Sequence, residues 1–294
     1  MSFAHDRGRG LVGKVLQGAA IACGLLAAPA FAQSACNRAD LQKIADAYVT
    51  AQTVGEPTKV PLTLWVQYTE QMDPSASMSG GMLSHPLKID FHRTLVDTQG
   101  CATFTEAVVT DPAHPYVLGT AIQTRGGEVN AIDTLVTDKG DWLFNASNTL
   151  KYSKAENWDE IPQADRDTRA TLMAAANAYL DSFDDKGVKV PWGSPCARLE
   201  GGLYTAKGAP GVATPQDTCD VGVPSGVKLV DRRYIVDDSL GAVAVLLTFG
   251  NNKLPDAHIF RVEKGKIRYV HTITVCKTDN CGFKMPAGLQ GGGQ

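Results

Sequence analysis

Residues 41–49 read Leu-Gln-Lys-Ile-Ala-Asp-Ala-Tyr-Val, and residues 172–180 read Leu-Met-Ala-Ala-Ala-Asn-Ala-Tyr-Leu. In both stretches apolar residues fall at i, i+3, i+4 and i+7, which is the spacing of one buried face of an α-helix. The second stretch begins 131 residues after the first, and a Val-Pro pair follows each, at 60–61 and 190–191. Two copies of a helix that opens a similar unit are therefore predicted.

The repeat continues beyond the helices. Residues 93–97, Arg-Thr-Leu-Val-Asp, correspond to residues 233–237, Arg-Tyr-Ile-Val-Asp, at an offset of 140. Residues 127–134 correspond to residues 265–272 at an offset of 138. Because three elements keep their order at a nearly constant offset, the chain is interpreted as two copies of one unit of about 120 residues.

Each copy opens with a helix and continues with strands separated by turns. In the second copy, alternating apolar residues predict strands over 227–237, 241–249, 257–263 and 266–275. Such a sheet, with its only long helix at the start, must curl around that helix to bury both apolar faces. The prediction is an α+β protein with two tandem domains, each a helix packed on a curved antiparallel sheet.

The domain boundaries follow from the repeat and from local composition. We expect a first domain over 33–150, a linker over 151–165 and a second domain over 166–286. The linker lies within a polar stretch that breaks at an Ile-Pro pair. Half of the final stretch is glycine, so residues 287–294 are expected to form a flexible tail.

The composition is that of an ordinary globular protein. The 294 residues are 44% hydrophobic and 20% charged, which excludes a disordered, collagen-like or coiled-coil chain. The net charge of -3 carries no basic block, so nucleic acid is not expected as a ligand.

The N-terminus resembles an export signal. Arg7, Arg9 and Lys14 precede or open an apolar run over 11–28, and Ala-Phe-Ala at 30–32 offers a small-x-small cleavage site. A signal peptide over 1–32 is predicted, with no integral membrane segment after cleavage. The protein is expected to be exported, to the periplasm or the extracellular space. A retained membrane anchor is the alternative, but it needs about 20 unbroken apolar residues.

Six cysteines remain after the signal, and an oxidising compartment favours disulfides between them. Six cysteines allow 15 connectivities. Proximity favours one bridge around a short turn and one across a Gly/Pro/Thr-rich loop, which leaves the remaining two cysteines for each other. The favoured pairs are Cys276 with Cys281, Cys196 with Cys219, and Cys36 with Cys101. A metal site is the alternative, but no CxxC or HxxxH spacing occurs, so no metal is expected.

Several segments carry a resemblance to known families. The strand pair over 232–243, Arg-Arg-Tyr-Ile-Val-Asp-Asp-Ser-Leu-Gly-Ala-Val, resembles the nuclear transport factor 2-like, or SnoaL-like, superfamily. Residues 141–145, 191–202 and 268–272 resemble more closely a family of secreted fungal and bacterial proteins. The resemblance covers nearly all of the chain after the signal. It implies a cone-shaped fold for each half, with a pocket between sheet and helices, but no single function.

Strand alternation selects the candidate acid/base residues. Strand alternation places Ile267, Tyr269, His271, Ile273 and Val275 on one face of the last strand, and that face is expected to line the pocket. Asp133 is the counterpart of His271 in the first copy. An ionisable group on an apolar face is costly to bury unless it is paired, and its pKa is often displaced. The alternative is a core residue bonded to backbone amides.

Other polar and aromatic residues complete the predicted sites. We expect further catalytic groups at Glu200 and His92, and substrate-binding side chains at Trp192, Arg198, Tyr204, Arg233, Arg261, Tyr269, Trp65, Tyr68, Asp90 and Arg93. An arginine presents a planar fork that suits a carboxylate. Arg198 and Glu200 could equally form a structural ion pair.

The sequence contains no nucleophile elbow, phosphate-cradling loop or dinucleotide fingerprint, so no cofactor is expected. The leading hypothesis is a cofactor-free acid/base enzyme, lyase-, isomerase- or cyclase-like, that acts on a small oxygenated organic molecule. The alternatives are a non-catalytic exported protein that binds a small molecule and a duplicated structural module with filled pockets. A homodimer through sheet faces is possible, although the two halves could meet that need within one chain.

Overall fold

The chain forms two mixed β-sheets with a helix against each, in a computed structural model that describes residues 36–208 and 214–283. The predicted signal peptide and flexible tail lie outside these residues. None of the described helices is both long and apolar enough to cross a membrane.

The first half begins with helix α1 (Arg38–Val54), and helix α2 (Ala146–Ala155) follows its last strand. The second half begins with helix α3 (Arg169–Asp181). The strands of the first half are β1 (Leu62–Glu70), β2 (Phe91–Asp97), β3 (Ala102–Val109), β4 (Tyr116–Arg125) and β5 (Glu128–Thr137). The second half comprises α3 (Arg169–Asp181), β6 (Trp192–Glu200), β7 (Leu203–Tyr204), β8 (Leu229–Asp237), β9 (Ala242–Phe249), β10 (Leu254–Glu263) and β11 (Lys266–Thr274).

The two sheets share one strand order. It is β1-β5-β4-β3-β2 in the first half and β6-β11-β10-β9-β8 in the second, where the two-residue β7 adds an outer edge. Helix α1 packs on β2 and β3, and α3 packs on the equivalent β8 and β9. The α+β class is confirmed, and the matching halves are consistent with a tandem duplication.

The predicted antiparallel meander is wrong for one strand of each half. β1 pairs in parallel with β5, and β6 pairs in parallel with β11, so both sheets are mixed. A parallel pair needs a long crossover, whereas antiparallel neighbours can be joined by short turns. Here β1 and β2 lie at opposite edges of the first sheet, and β6 and β8 lie at the corresponding positions of the second sheet, where only the short β7 lies beyond β6.

The helix faces predicted from the repeat are buried. Leu41, Ile44 and Tyr48 of α1 pack inward, as do Leu172 and Tyr179 of α3. Each helix begins at a side-chain cap, as helices with free N-terminal amides require: Asn37 accepts hydrogen bonds before α1, and Thr168 does so before α3.

The two sheets pack face to face. Leu95, Phe104 and Leu135 of the first sheet share one buried cluster with Ile259 and Ile273 of the second, and we call this cluster the shared core. The two helices cover the outer faces, because the side chains that alternate with these residues pack on α1 or α3.

The segment predicted as a linker, 151–165, is part of this packing. Its first residues belong to α2, and it contributes the buried side chains of Glu156 and Trp158. Trp158 belongs to the shared core, so the chain between the two halves is integrated into the fold.

Reciprocal ion pairs join the halves. Arg38, the first residue of α1, binds Asp237 of the second half at 2.9 Å, and Arg169, the first residue of α3, binds Asp97 of the first half at 2.7 Å. Each aspartate also accepts the backbone N–H of the residue that precedes the other aspartate, at 2.8 and 2.9 Å. A cation at a helix N-terminus opposes the helix dipole. Each arginine is nevertheless stabilised by its aspartate in the opposite half. Because the two contacts are reciprocal, they relate the halves by a pseudo-two-fold axis.

All three favoured disulfides are present, Cys36–Cys101, Cys196–Cys219 and Cys276–Cys281. Three bridges indicate that the protein folds in an oxidising environment.

Candidate functional site

His271 does not face the space beneath α3. The pairing of β11 with its neighbours shifts between Ile267 and Tyr269, which marks a β-bulge. Ile267 packs on the α3 side, whereas Tyr269 and Ile273 lie in the shared core. The predicted common face is therefore wrong, because a bulge reverses the alternation of a strand.

His271 is held between two carboxylates. Nδ1 lies 2.9 Å from Glu106 Oε1, Nε2 lies 2.7 Å from Glu156 Oε2, and the side chain is 1% exposed. Burial lowers the pKa of His271, but the two carboxylates outweigh burial and raise the pKa to about 9. The ring is thus an imidazolium whose two N–H groups both have acceptors, which leaves neither nitrogen for a substrate.

Arg93 completes this inter-sheet charge cluster, which we define as Arg93, Glu106, Glu156 and His271. Its guanidinium lies 3.2 Å from Glu106 and 4.1 Å from the ring centre of Trp158. The Trp158 indole donates to Glu156 at 2.8 Å. The cluster connects the two sheets and holds the halves together. Arg93 was predicted to bind substrate, but its side chain belongs to this cluster instead.

Asp133 and the predicted residues of the second half that lie outside the pocket also have structural partners. Asp133, the predicted counterpart of His271, forms an ion pair with Arg233, and Arg261 donates to two backbone carbonyls. Tyr204 stacks on Tyr152 with ring centres 4.2 Å apart. Tyr269 stacks on the indole of Trp158, with ring centres 5.9 Å apart. None of these five predicted residues lines the pocket described next.

The predicted set of the first half is dispersed. His92 is exposed on β2, and Trp65 is 86% exposed on β1. The Tyr68 hydroxyl donates to Glu70 at 2.6 Å, and Asp90 accepts from Thr110, whose hydrogen bonds lower the pKa of that carboxyl. Within the described part of the chain, no hydrogen bond links His92, Trp65, Tyr68 and Asp90 to one another, and they form no common site.

A pocket of about 130 Å³ lies between the second sheet and the end of α3, and we call it the α3 pocket. Its wall combines aromatic rings with polar side chains. The rings are Trp142, Phe183, Phe249 and Phe283, and the polar side chains are Arg198, Glu200, His258, Thr272 and Thr274.

Strand register aligns the central polar groups. Thr272 on β11 lies directly opposite Glu200 on β6 and directly opposite His258 on β10. Cross-strand neighbours on one face have side chains about 5 Å apart at Cβ. The three side chains thus form one row across the floor of the pocket.

Arg198 and Glu200 form a buried ion pair. Arg198 Nε donates to Glu200 Oε1 at 2.7 Å, and its guanidinium also donates to the carbonyl of Gly222 at 2.9 Å. The other carboxylate oxygen of Glu200 accepts longer bonds, both at 3.3 Å, from Trp142 and Thr272. Burial raises the pKa of Glu200, but the positive charge of Arg198 and the hydrogen bonds from Arg198 and Trp142 act together against burial, so the pKa lies below its ordinary value.

Three polar atoms at His258 lack a conventional hydrogen-bond partner in the described part of the chain. They are Nδ1 of His258 itself, Oδ2 of Asp256 and the hydroxyl of Tyr179. Nδ1 of His258 is 2.7 Å from Asp256 Oδ2, but the two atoms are not aligned as a hydrogen bond, and the imidazole is 2% exposed. The ring centre of Tyr179 is 5.5 Å from that of His258, and the Tyr179 hydroxyl also has no partner among the described residues. Burial raises the pKa of Tyr179, so its hydroxyl keeps its proton. Buried polar groups are nearly always paired, so such a group of exceptions marks a functional position or a bound polar molecule.

The first half contains the same row without the exceptions. Glu70, Thr134 and Thr120 occupy the register positions of Glu200, Thr272 and His258. The Tyr48 hydroxyl bonds Thr120 at 2.6 Å, and Thr120 bonds Thr134 at 3.1 Å. The hydroxyls beneath α1 are therefore hydrogen-bonded to one another, whereas His258 beneath α3 makes no hydrogen bond to its neighbours in the row.

Sequence reasoning missed the centre of this site. It did not select His258, Asp256 or the hydroxyl of Tyr179 as functional groups. The signal was available, since Asp256 and His258 are two residues apart on a strand that alternates regularly, and Tyr179 belongs to the repeated helix face. Of the predicted residues, Arg198 and Glu200 line the pocket. Trp192 packs on Tyr179 at 5.5 Å and lines a neighbouring cleft.

The arrangement suits proton transfer. Nε2 of His258 makes no hydrogen bond to another described residue, while Nδ1 faces a carboxylate that can stabilise the protonated ring. In the described ranges, no three His, Cys, Asp or Glu side chains are grouped to hold a metal ion.

Comparison with known proteins gives one match. A family model described as "Domain of unknown function (DUF8021)" matches residues 165–274, from just before α3 to the end of β11. No curated protein matches the chain, and no solved structure does so either. The matched region contains α3 and the strands that carry the polar row of the α3 pocket.

Proposed function

We propose that the α3 pocket is a cofactor-free site of proton transfer on a small oxygenated organic molecule. The reaction class is that of a lyase, isomerase or cyclase. His258 exchanges the proton, Asp256 orients the ring, and Glu200 accepts a hydrogen bond from a substrate hydroxyl. The observation that carries the proposal is the buried imidazole of His258 in the wall of the pocket, with the carboxylate of Asp256 2.7 Å from its Nδ1 and the unpartnered hydroxyl of Tyr179 close by.

The roles follow from the contacts. When Nε2 takes a proton, the positive charge forms 2.7 Å from the carboxylate that faces Nδ1, which lowers the cost of that charge in a buried site. Glu200 keeps one oxygen for Arg198, while its other oxygen has only the two 3.3 Å contacts. A substrate hydroxyl can replace such long bonds with a shorter one.

The proposal includes the fold family and the location. Each half is a nuclear transport factor 2-like cone, and the protein is exported to the periplasm or the extracellular space. The helix on a mixed sheet in both halves and the three disulfides support this assignment.

Proton transfer can be tested before the natural substrate is known. Small ketones and hydroxyketones are incubated with the protein in D₂O, and deuterium incorporation next to the carbonyl is followed by NMR. His258→Gln should lower the catalysed exchange by about 10²- to 10⁴-fold, because the amide cannot carry the proton. The control is His85→Gln in the first half, whose ring is bonded to the carbonyl of Gly81 and which should keep the wild-type rate.

Two results would count against the enzyme proposal. An unchanged rate in His258→Gln removes His258 from the reaction. Saturable binding with no exchange for any compound supports the alternative, a non-catalytic exported protein that binds a small molecule.

A further inference from the structure

We infer that the α3 pocket selects a neutral molecule that contains one six-membered ring and a polar substituent, and discriminates against carboxylates and ammonium ions of the same shape. This inference rests on the proposed function, since it names the substrate class of the same site.

The size and walls of the pocket favour one flat ring. Its volume of about 130 Å³ is slightly below that of a cavity of about 150 Å³ that binds benzene, which limits the enclosed part of a ligand to a single ring. The aromatic residues of the wall form a continuous chain of edge-to-face contacts, with ring centres 5.7 Å apart for Trp142 and Phe283, 5.9 Å for Phe283 and Phe249, and 5.6 Å for Phe249 and Phe183. Such rings offer both edges and faces to a further ring.

The charges of the wall are already balanced. Arg198 is bonded to Glu200 and to a backbone carbonyl, so its guanidinium is not free for a ligand carboxylate. Asp256 does not line the pocket, and its carboxylate lies 2.7 Å from Nδ1 of His258. An anionic ligand would approach Glu200, and a cationic ligand would approach Arg198. Either would lose hydration without gaining a counter-ion, which is unfavourable in a buried site.

The polar row explains the polar substituent. Glu200 Oε2 and Nε2 of His258 stand on either side of Thr272 and can bond one oxygen or amide group of a neutral ligand. The ring then lies against the aromatic chain, and its substituent lies against the row.

The test uses benzamide, benzoate and benzamidinium, three ligands of the same shape that differ in charge. Calorimetric titration of the full protein should show benzamide binding at least ~10-fold more tightly than either ion, a difference of one decade in Kd. The site is identified by the four tryptophan indole N–H signals in an NMR titration, because Trp142 lines the pocket whereas Trp65 is exposed on β1. The Trp142 signal should shift and the Trp65 signal should not.

A variant tests the charge argument directly. Glu200→Gln keeps the shape but leaves Arg198 uncompensated, so the affinity for benzoate relative to benzamide should rise at least ~10-fold. Glu70→Gln is the matched control, since Glu70 holds the equivalent register position in the first half, and it should keep the wild-type preference. The wild-type comparison of the three ligands remains decisive if Glu200→Gln does not fold.

The outcomes separate this inference from the proposed function. Equal or tighter binding of benzoate or benzamidinium to wild-type protein overturns the charge selection. Absence of binding by all three ligands overturns the ring assignment, even where open-chain ketones still exchange protons and the proposed function stands. The expected preference in the absence of any proton exchange leaves the inference standing and overturns the enzyme proposal.

Discussion

Two buried histidines on neighbouring strands show how partners decide the role of a residue. His271 has an acceptor at each nitrogen, and its contacts join the two sheets. His258 has one carboxylate nearby and a nitrogen with no hydrogen bond to the described residues around it. The same imidazole is therefore a fixed charge in one place and a candidate proton carrier in the other.

The pH dependence of stability should reveal the fixed charge of His271. Its folded pKa is about 9, above the ordinary value of 6.5, so its stabilising contribution is fully present below about pH 6.5 and is lost as the pH rises through 9. The free energy of unfolding should fall by about 3 kcal/mol over that range. Denaturant titrations between pH 6 and 9.5 measure it.

Two variants complete this test. His258→Gln should retain the alkaline loss of stability, because it leaves the inter-sheet charge cluster intact. His271→Gln should be less stable at pH 6, since breaking a buried ion pair leaves charges uncompensated, and should show little further loss toward pH 9. A wild-type protein equally stable at pH 6.5 and 9.5 would contradict the assigned protonation of His271.

At the scale of elements, the reciprocal aspartates connect equivalent strands. Asp97 and Asp237 each accept a backbone N–H and an arginine from the opposite half. Asn in place of either aspartate keeps the size but removes the charge, and should cost about 1 to 3 kcal/mol in free energy of unfolding. Both losses should fall in this range, because each aspartate has the same two contacts with the opposite half.

Chemical denaturation of the single variants measures these losses. Asp238→Asn serves as the control, because Asp238 is the exposed neighbour of Asp237 and its replacement should change stability by less than about 0.5 kcal/mol. A large loss at one aspartate with none at the other would argue against the pseudo-two-fold relation.

The elements themselves were predictable, and the exceptions have physical causes. Apolar periodicity located both helices, because a helix face with i, i+3, i+4 spacing has few alternatives. Alternation located β8 to β11 of the second half for the same reason, but not β6 and β7. The bulge between Ile267 and Tyr269 was not predictable from alternation, because it depends on how β11 pairs with two neighbours. That single irregularity moved His271 from the expected pocket to the shared core.

The candidate site was predictable only in part. Arg198 and Glu200 were selected because they are close in sequence and opposite in charge, and they line the α3 pocket as an ion pair. The environment of His258 depends on Tyr179, which is distant in sequence. The contact between these residues could therefore be found only in the folded structure. Regular alternation along β10 nevertheless places Asp256 beside His258 on one face.

At the scale of the whole molecule, the face-to-face sheets determine what each half can do. The faces that meet in the shared core are filled by side chains of both halves, which leaves the spaces beneath α1 and α3 for ligands. Beneath α1 the hydroxyls of Tyr48, Thr120 and Thr134 are hydrogen-bonded to one another, so they are already occupied. Chemistry is therefore expected beneath α3, while the first half supports the second through the shared core.

This division of roles predicts a single unfolding transition. Leu95 and Phe104 of one half pack with Ile259 and Ile273 of the other, so unfolding either half would expose the shared core of both. It would also leave the charges of the inter-sheet cluster and the reciprocal aspartates without partners, which adds to the cost. In calorimetry at neutral pH with disulfides intact, the van't Hoff and calorimetric enthalpies should agree. Amides of β3 and β9 should show the same free energy of opening by hydrogen exchange. Two separate transitions, or protection that survives in β9 after β3 has opened, would mean that each half is stable alone and that the shared core is a docking surface.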